Sequence, residues 1–76
     1  MMIKNLYEMI EYKLKQWKVE YFRDEYDFYI YTNDDTTAEL NALAALMSFN
    51  PVLIDIDITN HERIFKIEND AQIIIR

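Results

Sequence analysis

The chain has 76 residues, 51% of them hydrophobic, with no Gly, no Cys and a formal net charge of −6. That length accommodates one domain, residues 1–76, and the apolar content is too high for a disordered chain. Without Gly there is no phosphate-binding loop, dinucleotide fingerprint or nucleophile elbow, because each needs a bare backbone. Without Cys, disulfide frameworks and thiolate zinc sites are excluded as well.

No targeting or membrane-spanning segment is predicted. Lys4 and Glu8 interrupt any apolar signal core at the N-terminus. The longest uncharged run, 40–54, is interrupted by Pro51 and is shorter than the ~20 residues that cross a bilayer. We therefore expect a cytoplasmic protein without a membrane partner. Amino acids with A/T-rich codons are abundant, which favours a low-GC bacterium or its phage as the source.

A helix and a hairpin are predicted at the start of the chain. Apolar residues recur every three or four positions from Ile3 to Trp17, which predicts a helix over 2–16. Two alternating, aromatic-rich segments, 17–22 and 28–32, predict strands joined by the charged residues between them. The alternation turns three aromatic side chains away from the core: Phe22, Tyr29 and Tyr31.

A second helix is predicted over 37–49, after a loop at 33–35. Thr36 is the expected N-cap, with Glu39 reaching back to complete a capping box. Pro51 ends the helix, because the residue before a proline is pushed out of the helical region. The predicted buried stripe consists of Leu40, Leu43, Ala44 and Met47.

Three strands are predicted to close the chain, at 52–59, 63–68 and 72–76. Turns at Asn60–His61 and Asn69–Asp70 separate them. In the expected register, Ile54 and Ile56 face the core opposite Ile67 and Phe65, and Asp55 lies opposite Lys66. The order αββαβββ predicts an α+β fold: one antiparallel sheet with two helices packed on one face.

The chain offers few residues for catalysis or metal binding. Ser48 is the sole serine, it lies in a predicted helix, and His61 is the sole imidazole; nucleophilic catalysis needs both groups together. Asp55 and Asp57 near His61 have ligand types suited to a hard cation. Alternating Asp on a half-buried strand is, however, the ordinary pattern of a solvated face. We therefore expect no enzyme, no metal and no cofactor.

Aromatic density and acidity point instead to a protein partner. Seven aromatics lie within 17–31, but the acidic surroundings would repel phosphates, so direct nucleic-acid binding is not expected. Carboxylates and tyrosines suit a basic protein surface. Such a surface occurs on nucleic-acid-handling enzymes, and a phage-encoded mimic of nucleic acid could inhibit one by binding there. In size and charge this chain is similar to anti-CRISPR proteins, which are inhibitors of this kind. The candidate partner-binding residues are Glu20, Asp24, Glu25, Asp27, Tyr29, Tyr31, Asp34 and Asp35, with Asp55 and Asp57 as a second patch.

Two alternatives remain open at this point. The acidity is also what ordinary solubility requires of a small domain. The chain is also consistent with a homodimeric structural or accessory protein, assembled through the Tyr29/Tyr31 face or through the Ile73–Ile75 strand. Three consecutive isoleucines without a charged residue among them invite edge-to-edge pairing if that strand lies at an edge of the sheet.

Overall fold

The protein is described here by a computed structural model that covers residues 5–68 and 71–76. Its element order, αββαβββ, confirms the predicted α+β class with one sheet. The predicted helical residues 2–4 and the Asn69–Asp70 turn lie outside the described residues. The elements are α1 (Leu6–Gln16), β1 (Tyr21–Asp24), β2 (Asp27–Ile30), α2 (Thr36–Leu46) with a 3-10 turn (Met47–Phe49), β3 (Val52–Asp57), β4 (Glu62–Ile67) and β5 (Ala71–Ile75).

The sheet is mixed rather than wholly antiparallel. Its strand order is β1-β2-β5-β4-β3, and β2 pairs with β5 in parallel while the other neighbours pair antiparallel. Between β2 and β5 the chain passes through α2 and the β3–β4 hairpin. A crossover of that length can return a strand beside an earlier one in the same direction, which a tight hairpin cannot do.

Both helices pack on one face of the sheet, as predicted. Ile10 and Leu14 of α1 and Leu46 of α2 are fully buried there. Burying this apolar surface is the main favourable contribution to folding. The remaining buried core residues are Phe28, Ile30, Ala42, Ala45, Ile67, Ala71, Ile73 and Ile75.

The end of α1 explains why β1 begins later than predicted. The N–H of Val19 donates to the Leu14 carbonyl and that of Lys18 to the Lys15 carbonyl, the two bonds of a Schellman motif. Lys18 takes the left-handed conformation, with φ of 57°. Trp17 and Lys18 therefore end the helix instead of starting a strand.

The hairpin turn is also shorter than predicted. Only Glu25 and Tyr26 form it, so Arg23 and Asp24 belong to β1 and Asp27 to β2. Glu25 has φ of 52°, and a positive φ is what a tight two-residue hairpin turn needs. Arg23, Asp24 and Asp27 thus lie on the sheet, and Glu25 stays in the turn.

Helix α2 is capped and packed differently from the prediction. Asp35 is the N-cap, and its Oδ1 accepts from the N–H of Thr37 at 2.9 Å. Glu39 does not complete a capping box; it pairs with Arg63 of β4 at 2.6 Å. The buried side is formed by small residues, Ala42 and Ala45 among them, which lets the helix approach the sheet closely. Two members of the predicted stripe, Leu40 and Met47, are exposed.

Strand β5 is the centre of the sheet, which rules out the proposed dimer seam at Ile73–Ile75. It is flanked by β2 and β4, so its backbone is paired along both sides. Ile73 and Ile75 face the helices, while Ile74, on the opposite face, is only 5% exposed. A central strand whose side chains are buried on both faces has a continuous apolar run rather than alternation.

Strand β3 lies at an edge of the sheet and is largely uncovered. None of its six residues is buried, including Ile54 and Ile56, which were expected in the core. The register differs too: Ile56 lies opposite Arg63, and Asp55 lies opposite Ile64 rather than Lys66. The register shifts between Leu53 and Asp55, so an extra residue in β3 breaks the simple alternation.

Candidate outer-face site

The sheet face opposite the helices, called here the outer face, carries an apolar row across four strands. The register sets Phe22 opposite Tyr29, Tyr29 beside Ile74 and Ile74 opposite Ile64. The rings of Phe22 and Tyr29 are 6.4 Å apart between centroids and tilted by 40°. Phe22 is 56% exposed. The prediction that Phe22, Tyr29 and Tyr31 point away from the helices is thus confirmed for the first two by the pairing itself.

One side of this row carries Glu20, Tyr31 and Arg76. The N–H of Tyr31 donates to the Glu20 carbonyl at 3.1 Å, which extends the β1–β2 pairing by one position. The N–H of Arg76 donates to the Ile30 carbonyl, and the Thr32 N–H donates to the Arg76 carbonyl. By strand alternation, Glu20, Tyr31 and Arg76 face the same way as Tyr29 and Ile74.

The other side of the row carries two aspartates directly opposite each other, Asp24 and Asp27. Like charges in such cross-strand positions destabilise a sheet. Next to Asp27 on the sheet lies Gln72 of β5, and opposite Gln72 lies Lys66 of β4. The chain therefore keeps an unfavourable pair of carboxylates next to an exposed phenylalanine.

These carboxylates have no cationic partner in the described part of the chain. The ion pairs found among residues 5–68 and 71–76 are Arg23 with Glu11, Arg63 with Glu39 and Arg76 with Glu62. None of them involves Glu20, Asp24 or Asp27. Unpaired carboxylates around an apolar centre leave their charge available to an external partner.

Two cations do lie on the outer face. Arg76 donates to the Glu62 carboxylate, and this hydrogen bond and the charge of Glu62 raise the pKa of the guanidinium. Lys66 is exposed on β4. Six carboxylates share the outer face with these two cations, so the face is acidic on balance: Glu20, Asp24, Asp27, Asp55, Asp57 and Glu62.

Asp55 and Asp57, predicted as a second patch, lie on the same face but on β3, at the opposite edge of the sheet from β1. They lie opposite Ile64 and Glu62, both outer-face residues of β4. Asp55 Oδ1 accepts from the N–H of Ile56 at 2.8 Å. Asp57 accepts from the backbone N–H and the side-chain amide of Asn60, and these bonds lower the pKa of the Asp57 carboxyl.

Three predicted site residues lie away from the strands. Glu25 is in the β1–β2 turn, where its carbonyl accepts from Arg23 Nε at 2.9 Å. Asp35 caps α2 and so has a structural role. Asp34 lines an open cleft of about 380 Å³ at one end of the sheet, beside His61 and Arg63.

Arg23 and Tyr21 lie at the helix-side edge of the hairpin. Arg23 lies 5.4 Å from the ring centroid of Tyr7 and 5.8 Å from that of Phe28, so it covers the core. Burial raises the pKa of the Tyr21 hydroxyl, as does its hydrogen bond to Glu11. These contacts hold the β1–β2 hairpin against α1 and so fix the position of the strands that carry the outer-face residues.

The residues missed by sequence reasoning are the apolar centre of the outer face. Phe22 was placed on the correct side but not among the site residues, and alternation alone could have added it. Ile64 and Ile74 could not be found in this way, because their place depends on β5 lying between β2 and β4.

Comparisons with protein-family models, curated proteins and solved structures gave no match to this chain. Among the described residues, no helix has the length and apolar character needed to cross a membrane. Residues 5–68 and 71–76 also contain no group of three or more His, Cys, Asp or Glu side chains arranged to hold a metal ion.

Proposed function

We propose that this chain is a small acidic protein-binding module whose outer face docks on a basic protein surface. One observation carries the proposal: an apolar row, Phe22–Tyr29–Ile74–Ile64, crosses the sheet face opposite the helices, exposed most at Phe22, between carboxylates that have no cationic partner among the described residues. Interfaces commonly have an apolar centre and a polar rim. Tyrosine and phenylalanine supply the desolvated centre, and carboxylates select Arg and Lys on the partner.

The specific form of the proposal is an inhibitor encoded by a phage or mobile element and acting in the cytoplasm. Its partner is the basic site of a host nucleic-acid-processing enzyme, and the outer-face carboxylates take the places that phosphates would occupy. Size, charge and the face's geometry support this form. The chain itself acts by binding, not by catalysis.

The competing function is a homodimer that buries the Tyr29/Tyr31 face against a second copy. The exposed Phe22 side chain favours burial of this face by some partner. Two copies of a chain with a net charge of −6 would, however, bring Asp24 and Asp27 of each copy near the same seam. We therefore favour a basic partner over a second copy.

The proposal is tested by affinity capture from a lysate of the source organism or its host, with wild type and two charge variants. The outer-face variant is Glu20→Lys with Asp27→Lys. The matched control is Glu8→Lys with Glu68→Lys, which changes the net charge equally; Glu8 is on α1, and Glu68 lines a cleft beside α1 residues.

We expect wild type and control to retain one nucleic-acid-processing protein that is released as salt rises, and the outer-face variant to lose it. Screening weakens contacts between exposed charges, which explains the salt effect. Equal capture by all three proteins would contradict the proposed site. Recovery of only the chain itself, at any salt concentration, would favour the homodimer.

A further inference from the structure

Strand β3 combines features of a docking edge. It is an edge strand, so no other strand of the described residues lies on its far side, and its apolar side chains are extensively exposed. Ile56 is 56% exposed and Ile58, just beyond the strand, is 82% exposed. No Lys, Arg or Pro lies between Val52 and Ile58. Lysine and proline are common protectors of free edges; β3 has instead the bulge between Leu53 and Asp55 and two aspartates, so we expect it to admit only a strand whose charge complements those aspartates.

The charges on β3 indicate what kind of strand it accepts. Asp55 and Asp57 face the outer side, while Leu53 and Ile56 face the helix side, opposite Phe65 and Arg63. A strand added along this edge would place alternate side chains beside these two sets. Basic residues would then lie beside the aspartates, and apolar residues would lie beside Leu53 and Ile56.

A second copy of β3 is a poor occupant. Two-fold antiparallel pairing centred on Asp55 places the Asp55 carboxylates of the two copies opposite each other, and pairing centred on Ile56 places Asp55 opposite Asp57. Parallel pairing in register places each aspartate beside the same aspartate of the other copy. Like charges in these positions destabilise the pairing. The net charge of −6 on each copy adds to this repulsion.

We propose that β3 binds, by strand addition, an extended segment of a partner protein in which basic and apolar residues alternate. The inference rests on the proposed function for the basic character of the partner, and it adds the mode of docking. Asp55 ends the cross-strand row that begins at Phe22, so the added strand would extend the outer face by one strand. Main-chain hydrogen bonds would supply affinity and the alternating side chains specificity.

The test uses a short synthetic peptide of alternating lysine and valine, titrated into the isotope-labelled chain and followed through backbone amide signals. A fully backbone-N-methylated form of this peptide keeps the side chains but cannot donate main-chain hydrogen bonds. A peptide of alternating glutamate and valine reverses the charge. We expect saturable shifts in Val52–Asp57, and binding at least about tenfold weaker for both control peptides.

The variant Asp55→Lys with Asp57→Lys supplies a charge-swap control, because it reverses both carboxylates beside the added strand and should make the glutamate peptide bind better than the lysine peptide. Equal affinity for the methylated peptide would overturn strand addition, and so would shifts confined to β1 and β2. Shifts in β3 that depend only on the chain's own concentration would identify a second copy as the occupant. If the lysine–valine peptide does not bind β3 while the Glu20→Lys/Asp27→Lys variant still loses the captured protein, strand addition at β3 is wrong and the proposed function of the outer face stands.

Discussion

Lys18 occupies a backbone position that usually belongs to glycine. It follows the C-cap of α1 with φ of 57° and completes the Schellman motif. A side chain with a Cβ is strained in this conformation, and glycine is not. Lys18→Gly should therefore raise the free energy of unfolding by about 1 kcal/mol, measured by urea denaturation.

The control for this prediction is Lys15→Gly, on the last turn of the same helix. Glycine in a helix costs about 1 kcal/mol relative to a good helix former, so this variant should be less stable than wild type. Two variants that lose the same charge should thus move in opposite directions. A loss of stability in both would show that the Lys18 side chain contributes more than its backbone strain costs.

Asp57 should make stability depend on pH at the acid end. The bonds from Asn60 hold the pKa of the folded carboxyl below its ordinary value of 3.8. The stabilisation is therefore present above the unfolded-state pKa and is lost as pH falls through the folded-state pKa. Wild type should be more stable than Asp57→Ala near neutral pH, with the difference shrinking as the pH falls below the ordinary carboxyl pKa of 3.8. An unfolding difference that stays constant with pH would contradict this role.

Variants of Asp35 can distinguish its structural role as the cap of α2 from a role in binding a partner. Asp35→Ala removes the α2 cap and should cost about 1 kcal/mol of stability. Asp35→Ser keeps a capping oxygen without the charge and should stay within a few tenths of a kcal/mol of wild type. Thr36→Ala, at the position expected from sequence to be the cap, should have a smaller effect than Asp35→Ala in the same denaturation series.

At the scale of elements, an isoleucine of the central strand β5 and one just beyond the edge strand β3 should respond to truncation differently. Ile74 is 5% exposed at the centre of the sheet, whereas Ile58 is 82% exposed. Ile74→Ala should cost about 2–4 kcal/mol because it leaves a cavity. Ile58→Ala should change stability by less than about 0.5 kcal/mol. Thermal and urea unfolding of both variants would check this, and equal effects would contradict the burial of Ile74 and the exposure of Ile58.

The elements themselves could be predicted because their signals are local. The three- and four-residue spacing in α1, the break at Asn50–Pro51 and the alternation of β2 each depend on neighbouring residues. Strand order could not be predicted in this way, because pairing of β2 with β5 joins Phe28 to Ile73 across most of the chain. The three consecutive isoleucines of β5 were consistent with either an edge strand or a central strand of the sheet, and only the strand pairing distinguishes these two positions.

At the scale of the whole molecule, five of the ten carboxylates that have no ion pair among the described residues lie on the sheet face opposite the helices. Sequence reasoning found most carboxylates and both tyrosines of that face, because alternation in β1 and β2 is regular. It treated Asp55 and Asp57 as a second patch; they share the outer face with the other carboxylates, but β5 and β4 lie between β2 and β3, an arrangement that local sequence patterns do not show. It also missed the cap role of Asp35, since Thr36 and Glu39 match a capping box equally well.

The most direct test of outer-face docking is oxidative footprinting of the side chains, read by mass spectrometry, with and without the captured partner. Phe22, Tyr29 and Tyr31 should become protected in the complex, while Trp17, exposed at the end of α1, should react as before. Concentrated protein without a partner should show no such protection. Protection of Trp17 with unchanged Phe22 would contradict outer-face docking, and protection of Phe22 in the chain alone would show a homodimer instead.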